Sequence, residues 1–185
     1  MAKRNIYLAG FMGTGKSTIG RELSRVMGRK SIDIDQELER KFNATIAEMF
    51  DTYGEQWFRA QEKALCLEIA EMSNKIVAAG GGALMDPDVF EAFNRSGLLI
   101  CLYTQRDCLV ERLERSDKRP LLNGVNIPET VDTLLAKRQS LYDKIRIRID
   151  TTNLTPMSTA KKIADLINTR QKILEKLGNQ YIDLS

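Results

Sequence analysis

A pattern of eight residues near the start of the chain constrains its fold more than any other feature. Residues 10–17 read Gly-Phe-Met-Gly-Thr-Gly-Lys-Ser, which fits the phosphate-binding pattern G-x-x-x-x-G-K-[ST]. An apolar run, residues 6–9, precedes the pattern, and an amphipathic stretch, residues 17–27, follows it. Glycines let backbone N–H groups turn towards phosphate oxygens, and the start of the helix adds a partial positive charge. The pattern therefore predicts a strand, a phosphate-binding loop and a helix.

The same alternation of short apolar runs and longer amphipathic stretches continues along the chain. Several of these short runs contain almost only apolar residues instead of alternating with polar ones, which is typical of parallel strands covered on both faces. With 185 residues, the chain suits one domain spanning 1–185. We therefore expect an α/β fold in which helices sandwich a five-stranded parallel sheet. The predicted strands are residues 6–9, 31–34, 75–79, 98–103 and 145–149, and the predicted helices are residues 17–27, 35–41, 44–51, 55–72, 87–94, 106–115, 128–144 and 156 to about 176.

Charge and composition exclude several classes of function. The net charge of +3 is too small for bulk attraction to nucleic acid or to a membrane. The chain has no histidine, which excludes Ser-His-Asp triads, Cys-His pairs and His-ligated zinc. Neither a signal peptide nor a membrane-length apolar run is evident. We therefore expect a cytoplasmic protein without a nucleic-acid or membrane partner.

The phosphate loop alone is shared by switches, motors and kinases, and other motifs must separate them. Lys16 would bridge the β- and γ-phosphates, and the Ser17 hydroxyl would bind Mg²⁺. The guanine-binding pattern N-K-x-D of GTPases is absent, since the one Asn-Lys pair is followed by Ile-Val. An ATPase motor is expected to have an apolar strand that ends in Asp-Glu, and this sequence has no such strand. The sequence therefore favours a small-molecule or nucleotide kinase.

Two carboxylates follow the second predicted strand. Asp33 and Asp35 are two residues apart, so they would share a face if both lay in the strand. Ligands of open α/β sheets bind beyond the carboxyl ends of the strands, near the phosphate loop. We expect Asp33 to bind Mg²⁺, through water, and Asp35 to bind the hydroxyls of the acceptor. Alternatively, Asp35 is only the N-cap of the next helix.

Glycines and arginines further along the chain predict an anion site. Gly80, Gly81 and Gly82 directly follow the third apolar strand, and three glycines indicate either backbone kept bare for a ligand or a plain turn. Arg59 precedes Glu62 by three residues, a spacing that suits either a surface ion pair or an arginine held for carboxylate binding. Arg138 is a second candidate for binding the anion.

A polar stretch at residues 116–126 interrupts the alternation of strands and helices. It contains Arg119, followed at once by Pro120, and Gly124. The stretch is long for a connection between two helices, and such loops are often functional lids. An ordinary surface loop is the alternative.

Together, these motifs resemble the shikimate kinase family from about residue 6 to about residue 170. Their order and spacing are much more specific than the phosphate loop alone. They are residues 10–17, Asp33 with Asp35, the segment 54–62 with Phe58 and Arg59, the glycines 80–82, the run 119–122, and Arg138 with Leu141 and Tyr142.

The resemblance implies a P-loop nucleoside-monophosphate-kinase-like fold with a mobile lid at about residues 113–126. It also implies transfer of phosphate from ATP to the 3-hydroxyl of shikimate, with Mg²⁺ as cofactor, in the route to chorismate and the aromatic amino acids. Lys16, Asp35 and Arg119 are the expected catalytic residues. The expected ATP-binding residues are Gly13, Thr14, Gly15, Lys16, Ser17, Thr18, Arg112, Arg119 and Pro156. The expected shikimate-binding residues are Asp35, Phe50, Phe58, Arg59, Gly80, Gly81, Gly82 and Arg138, and the expected metal-binding residues are Ser17 and Asp33.

The chain departs from the family pattern at two places. Ala79 precedes the three glycines, where family members often carry a hydroxyl residue. Residues 171–185 form a C-terminal extension without an expected role, and the protein is expected to be a monomer. Two other functions remain open: a related small-metabolite kinase, such as a gluconate-kinase-like protein, and a nucleotide-binding regulator without catalytic activity.

Overall fold

Five parallel strands form the centre of the fold in the computed structural model, which describes residues 4–115 and 126–182, with side chains up to residue 172. The strand order is β2-β3-β1-β4-β5, so the strand before the phosphate loop lies in the middle. This arrangement confirms the predicted parallel sheet. The strands are β1 (Asn5–Gly10), β2 (Lys30–Asp33), β3 (Lys75–Ala78), β4 (Gly97–Tyr103) and β5 (Ile147–Asp150).

Seven helices flank the sheet within the described residues. Their ends differ from the predicted ones by a few residues, except that the last helix runs further. The helices are α1 (Lys16–Met27), α2 (Ile34–Phe42), α3 (Ile46–Glu71), α4 (Pro87–Ser96), α5 (Arg106–Glu114), α6 (Ile127–Tyr142) and α7 (Pro156–Ile182), and a short 3₁₀ turn spans Ala83–Met85.

Both faces of the sheet are covered by apolar side chains. Successive residues of a strand point to opposite faces, so Ile6 and Leu8 pack with α1 and α7, while Tyr7 and Ala9 pack with the helices on the other side. This burial on both faces explains why the central strands β1 and β4 are almost continuously apolar.

Side chains at the helix starts fix where several helices begin. The Asp86 side chain accepts hydrogen bonds from the N–H groups of Asp88 and Val89, and Pro87 is the first residue of α4. Thr155, the residue before α7, accepts a hydrogen bond from the N–H of Ser158, and Pro156 is the first residue of that helix. Both Pro-initiated helices are as predicted.

Helix α3 replaces two predicted helices with one span that is interrupted at Gly54. This residue has φ 79° and ψ 165°, outside the helical region, so the axis breaks where the sequence predicted a gap. Thr45 and Glu48 form a reciprocal capping box at the start of the helix.

The predicted lid and C-terminal extension are only partly within the described residues. The segment 116–125, which includes Arg119, lies outside them. Helix α7 extends to Ile182, so the part of the extension that is described continues the last helix. Among the described residues, none of the helices has the length and hydrophobicity needed to cross a membrane.

Candidate functional site

The phosphate loop joins β1 to α1 with a backbone that requires glycine. Gly13 and Gly15 have φ values of 82° and 90°, which residues other than glycine rarely adopt. A Cβ at Gly10 would overlap the carbonyl oxygen of Leu102. The loop therefore presents backbone rather than side chains, as the sequence predicts for phosphate binding.

Lys16 and Ser17 begin the helix that follows the loop. Lys16 is only 8% exposed, and its Nζ donates hydrogen bonds of 2.9 Å to the carbonyl oxygens of Gly10 and Phe11. Ser17 is partly exposed and Thr18 is exposed on the first turn of α1. The ammonium group, the hydroxyl and the start of the helix thus lie together at the carboxyl end of β1, where a polyphosphate can bind.

Ser17 and Asp33 line one small cavity of about 130 Å³ beside the phosphate loop. Asp33 Oδ1 accepts a hydrogen bond from the N–H of Gln36, whereas Oδ2 is buried without a hydrogen-bond partner among the described residues. A buried carboxylate oxygen without a partner is costly unless a donor or a cation satisfies it. Hydroxyl and carboxylate oxygens suit Mg²⁺, so these residues fit the ion.

The local geometry of Asp33 and Asp35 differs from the sequence prediction. Strand β2 ends at Asp33, which caps α2, and Asp35 lies in the first turn of that helix. The expectation that the two share one face of a strand is therefore wrong, and so is the alternative that Asp35 is the N-cap. Both carboxylates still lie at the carboxyl edge of the sheet.

Gly80 leaves room for two carboxylates. A Cβ on this residue would lie closer than 3.0 Å to both Glu62 Oε1 and Asp35 Oδ1, a separation that real Cβ atoms essentially never show. The two oxygens are therefore less than about 6 Å apart, within the range where like charges interact strongly. The φ of Gly80 is not positive, so close approach, and not backbone conformation, explains the glycine.

Two guanidinium groups lie against the next two glycines. A Cβ on Gly82 would lie 2.8 Å from Arg59 Nη1, and one on Gly81 would lie 3.2 Å from Arg138 Nη1 and 3.8 Å from the backbone nitrogen of Met12. Arg138 is 8% exposed, and its Nη1 has no hydrogen-bond partner among the described residues. The structure therefore brings both predicted anion-binding arginines to the glycine run, beside the phosphate loop.

Glu62 connects the charges of the site. It is 3% exposed, and its Oε2 accepts a hydrogen bond of 2.6 Å from Arg59 Nη1. Burial raises the pKa of the Glu62 carboxyl, the attraction of Arg59 opposes the rise, Asp35 adds to it, and Arg138 opposes it. Arg59 also bonds Glu55 through Nε and Nη2 at 3.3 Å. The predicted pairing of Arg59 with Glu62 is therefore a partly buried contact at the site, with Glu62 as its buried member.

Two aromatic rings form the apolar wall beside these charges. The ring centroids of Phe50 and Phe58 are 4.6 Å apart, and Phe58 is buried. The Arg59 guanidinium lies 5.8 Å from the Phe50 centroid and 5.4 Å from the Phe58 centroid, while Arg138 lies 5.6 Å from that of Phe11. The site thus combines anion-binding groups with apolar surface, as a ring-shaped acid would require.

Arg112 lies between the phosphate loop and the end of β5. It donates hydrogen bonds to the carbonyl oxygens of Gly13, Thr151 and Thr152. Pro156, another expected ATP-binding residue, is exposed at the start of α7. Arg119, the expected catalytic arginine of the lid, lies outside the described residues.

Two buried hydroxyl residues at the site, Thr104 and Thr151, were not predicted from the sequence. They immediately follow β4 and β5, and their Oγ1 atoms are 2.7 Å apart. Their position after apolar strands, at the edge where the phosphate loop lies, was the available signal. A larger cavity of about 360 Å³ lies elsewhere, between α1 and α7.

Comparisons with known proteins show which family the chain belongs to. A family model described as shikimate kinase matches residues 12–169. The chain is 36% identical over 176 residues to the shikimate kinase of Shewanella oneidensis, covering 95% of this chain and 98% of the relative. It is 35% identical over 160 residues to that of Thermodesulfovibrio yellowstonii, covering 86% and 92%.

Solved structures show the same relationship. The shikimate kinase from Acinetobacter baumannii, solved in complex with shikimate, matches with a TM-score of 0.86 and 36% identity, covering 91% of this chain and 94% of that one. A gluconokinase from Sinorhizobium meliloti matches with a TM-score of 0.55 at 14% identity over 90% of this chain and 97% of its own, a likeness of fold alone. The expected P-loop nucleoside-monophosphate-kinase-like fold is confirmed. On the evidence of the family model, the curated relatives and the site itself, this chain belongs to the shikimate kinase family.

Proposed function

We propose that the protein transfers the γ-phosphate of ATP to the 3-hydroxyl of shikimate, in the route to chorismate and the aromatic amino acids. The observation that carries the proposal is the convergence of Arg59 and Arg138 on Gly81 and Gly82, within reach of the phosphate-loop nitrogen of Met12. A carboxylate-bearing acceptor bound there would place its hydroxyls near the phosphate loop.

The two arginines suit a carboxylate better than a neutral hydroxyl compound. Guanidinium groups bind carboxylates through two parallel hydrogen bonds. The Nη1 of Arg138 is buried without a partner among the described residues, so an acceptor oxygen would satisfy it. The rings of Phe50 and Phe58 would contact the carbon ring of shikimate.

Asp35 would bind the acceptor hydroxyl and take its proton. Its Oδ1 lies beside Gly80, on the same glycine run that borders both arginines. A carboxylate within hydrogen-bond reach orients the hydroxyl oxygen for attack and accepts the proton as the phosphorus–oxygen bond forms.

The phosphate loop would hold ATP and stabilise the charge on the transferred group. Backbone N–H groups bind the phosphate oxygens, Lys16 bridges the β- and γ-phosphates, and Arg119 would contact the γ-phosphate from the lid. Ser17 and Asp33 would hold Mg²⁺, which, when bound, supplies positive charge to the β- and γ-phosphates. The buried, unsatisfied Asp33 Oδ2 supports this assignment.

A coupled ADP-release assay tests the proposal. The full chain is supplied with ATP, Mg²⁺ and shikimate, gluconate or no acceptor, and the product is identified by phosphorus NMR. Of the three acceptor conditions, we expect turnover only with shikimate, and we expect the product to carry the phosphate on the 3-hydroxyl. Turnover with gluconate in place of shikimate would indicate a related metabolite kinase, and ATP binding without turnover would indicate a regulator. The monomeric state and the cytoplasmic location remain predictions, to be tested by light scattering and cell fractionation.

A further inference from the structure

Both terminal nitrogens of the Arg112 guanidinium donate to protein oxygens, each of them to two. Nη1 donates to the carbonyl oxygen of Gly13 at 3.3 Å and to Thr104 Oγ1 at 3.4 Å. Nη2 donates to the carbonyl oxygens of Thr151 and Thr152 at 3.1 and 3.3 Å. Because these bonds lie along the edges of the guanidinium, its flat faces remain as the surface on which a base can stack.

A second connection joins Arg112 to the phosphate loop through two hydroxyls. Thr104 Oγ1 accepts from Arg112 and lies 2.7 Å from Thr151 Oγ1. The single proton of the Thr151 hydroxyl is shared between the carbonyl oxygens of Thr14, at 3.3 Å, and Tyr103, at 3.1 Å. Donors and acceptors match when Arg112 donates to Thr104, Thr104 to Thr151, and Thr151 to these two carbonyls. One of the two acceptors at the end of this relay, Thr14, therefore belongs to the phosphate loop.

These contacts fix two successive peptide groups of the loop. In a planar trans peptide the C=O and the following N–H point in opposite directions. Holding the carbonyl oxygens of Gly13 and Thr14 therefore also sets the directions of the N–H groups of Thr14 and Gly15. The N–H of Thr14 is satisfied within the loop by the carbonyl oxygen of Phe11 at 3.3 Å. The N–H of Gly15 is left pointing away from Thr151.

We propose that Arg112 is a positioning residue for the phosphates of ATP, in addition to any stacking on the base. Acting directly on Gly13 and through Thr104 and Thr151 on Thr14, it orients the phosphate-loop backbone before the nucleotide arrives. This inference rests on the proposed function only because it takes the ligand to be a nucleoside triphosphate. Its distinctive consequence is that loss of the Arg112 contacts weakens the binding of a triphosphate that carries no base.

Calorimetric binding of inorganic tripolyphosphate and of ATP, both with Mg²⁺, tests this inference. Arg112→Lys keeps the charge but cannot bond four oxygens in one plane, so both ligands should bind about 10-fold or more weakly. Thr104→Val removes the relay without changing any charge or touching a ligand, and should weaken both about 3- to 10-fold. Thr104→Ser keeps the hydroxyl and should bind both ligands close to wild type.

Arg25→Lys is the matched control, because Arg25 is exposed on α1 and its ion pair among the described residues is with Glu22. It should leave both affinities unchanged. Thermal unfolding of each variant is measured first, and binding is then measured at a temperature at which every variant is folded. If Thr104→Val does not fold, Thr151→Val breaks the next bond of the same relay and is judged by the same criterion.

Tripolyphosphate affinity decides the outcome. If Arg112→Lys weakens ATP while tripolyphosphate binds as to wild type, the arginine acts through the base alone and the inference is overturned. Wild-type tripolyphosphate affinity in the valine variant overturns it as well, whatever the lysine variant does. Neither result depends on shikimate, so failure here is distinct from failure of the proposed reaction, which wild-type turnover measures.

Discussion

Replacing Gly80 with alanine should disable the acceptor site while leaving ATP binding intact. The backbone of Gly80 is not in the left-handed region, so alanine causes no conformational strain. Its Cβ would, however, lie closer than 3.0 Å to Glu62 Oε1 and to Asp35 Oδ1. Since contacts of carbon with oxygen require somewhat more than 3 Å, both carboxylates must move.

The size of the effect follows from how tightly Glu62 is held. Its side chain is 4% exposed and is bonded to Arg59 at 2.6 Å, so it cannot swing into solvent without breaking that pair. A displacement of about 1 Å at a catalytic site can cost about 100-fold in rate. We therefore expect kcat/KM for shikimate to fall about 100-fold, and overpacking to lower the free energy of unfolding by about 1–3 kcal/mol.

Steady-state kinetics with varied shikimate, together with calorimetric ATP binding, measure both parts of this prediction. Gly28→Ala is the matched control: its φ of 62° makes alanine unfavourable by about 1–2 kcal/mol, but no atom lies within 4 Å of the added Cβ. The control should lose stability and keep activity. A Gly80→Ala enzyme with kcat/KM within about threefold of wild type would refute the reasoning that close approach explains this glycine.

Four further substitutions test the other assignments. Arg59→Lys should raise KM for shikimate at least about 10-fold, because an ammonium cannot form the two parallel bonds, and should leave KM for ATP unchanged; the reverse pattern would contradict this role. Asp35→Asn should lower kcat about 10²–10⁴-fold with little change in ATP affinity, and near-normal turnover would remove Asp35 from the mechanism. Arg119→Ala should bind both substrates nearly as wild type but lose most of its single-turnover rate, and an unchanged rate would contradict a catalytic lid arginine. Finally, the pKa of the Glu62 carboxyl is higher in the folded protein than its ordinary value of about 4.5 in the unfolded chain. As the pH rises from about 4.5 towards the folded pKa, the unfolded chain loses this proton while the folded protein keeps it, so Glu62 lowers the free energy of unfolding. Denaturant unfolding of Glu62→Gln between pH 5 and 8 should show a smaller decline than wild type, and parallel profiles would be inconsistent with the raised pKa.

The sheet and the phosphate loop could be predicted because their signals are local. Continuous apolar runs and a contiguous eight-residue pattern require no knowledge of distant residues. The geometry of Asp33 and Asp35 was mispredicted although a local signal was present. Asp33 is followed three residues later by Gln36, the spacing of a capped helix start, whereas Asp35 is followed by Leu38.

Which side chain approaches each of the glycines 80–82 could not be predicted from the residues alone, because the partners come from distant parts of the chain and only the family resemblance grouped Arg59 and Arg138 with these glycines. The sequence indicated backbone kept bare for a ligand, and the structure places the charged groups of Glu62, Arg59 and Arg138 there. A run of three glycines shows that something approaches closely, but tertiary packing alone determines which side chain does. Thr104 and Thr151 escaped prediction for the same reason, since their contact joins residues 47 positions apart.

The charge balance of the acceptor site argues that selectivity is built in before ATP binds. Two guanidinium groups, Arg59 and Arg138, are opposed by two carboxylates, Asp35 and Glu62, so the charges nearly cancel within the site. The buried Nη1 of Arg138 is a donor without a hydrogen-bond partner in the described part of the chain. An acceptor without a carboxylate would leave this donor only partly satisfied, at a cost of about 1–3 kcal/mol. Sites that lose a hydrogen-bonding partner in this way discriminate more strongly than apolar pockets do. We therefore expect acceptor choice to depend on the glycine run and its arginines, and the phosphate loop to contribute the chemistry that any phosphate acceptor would share.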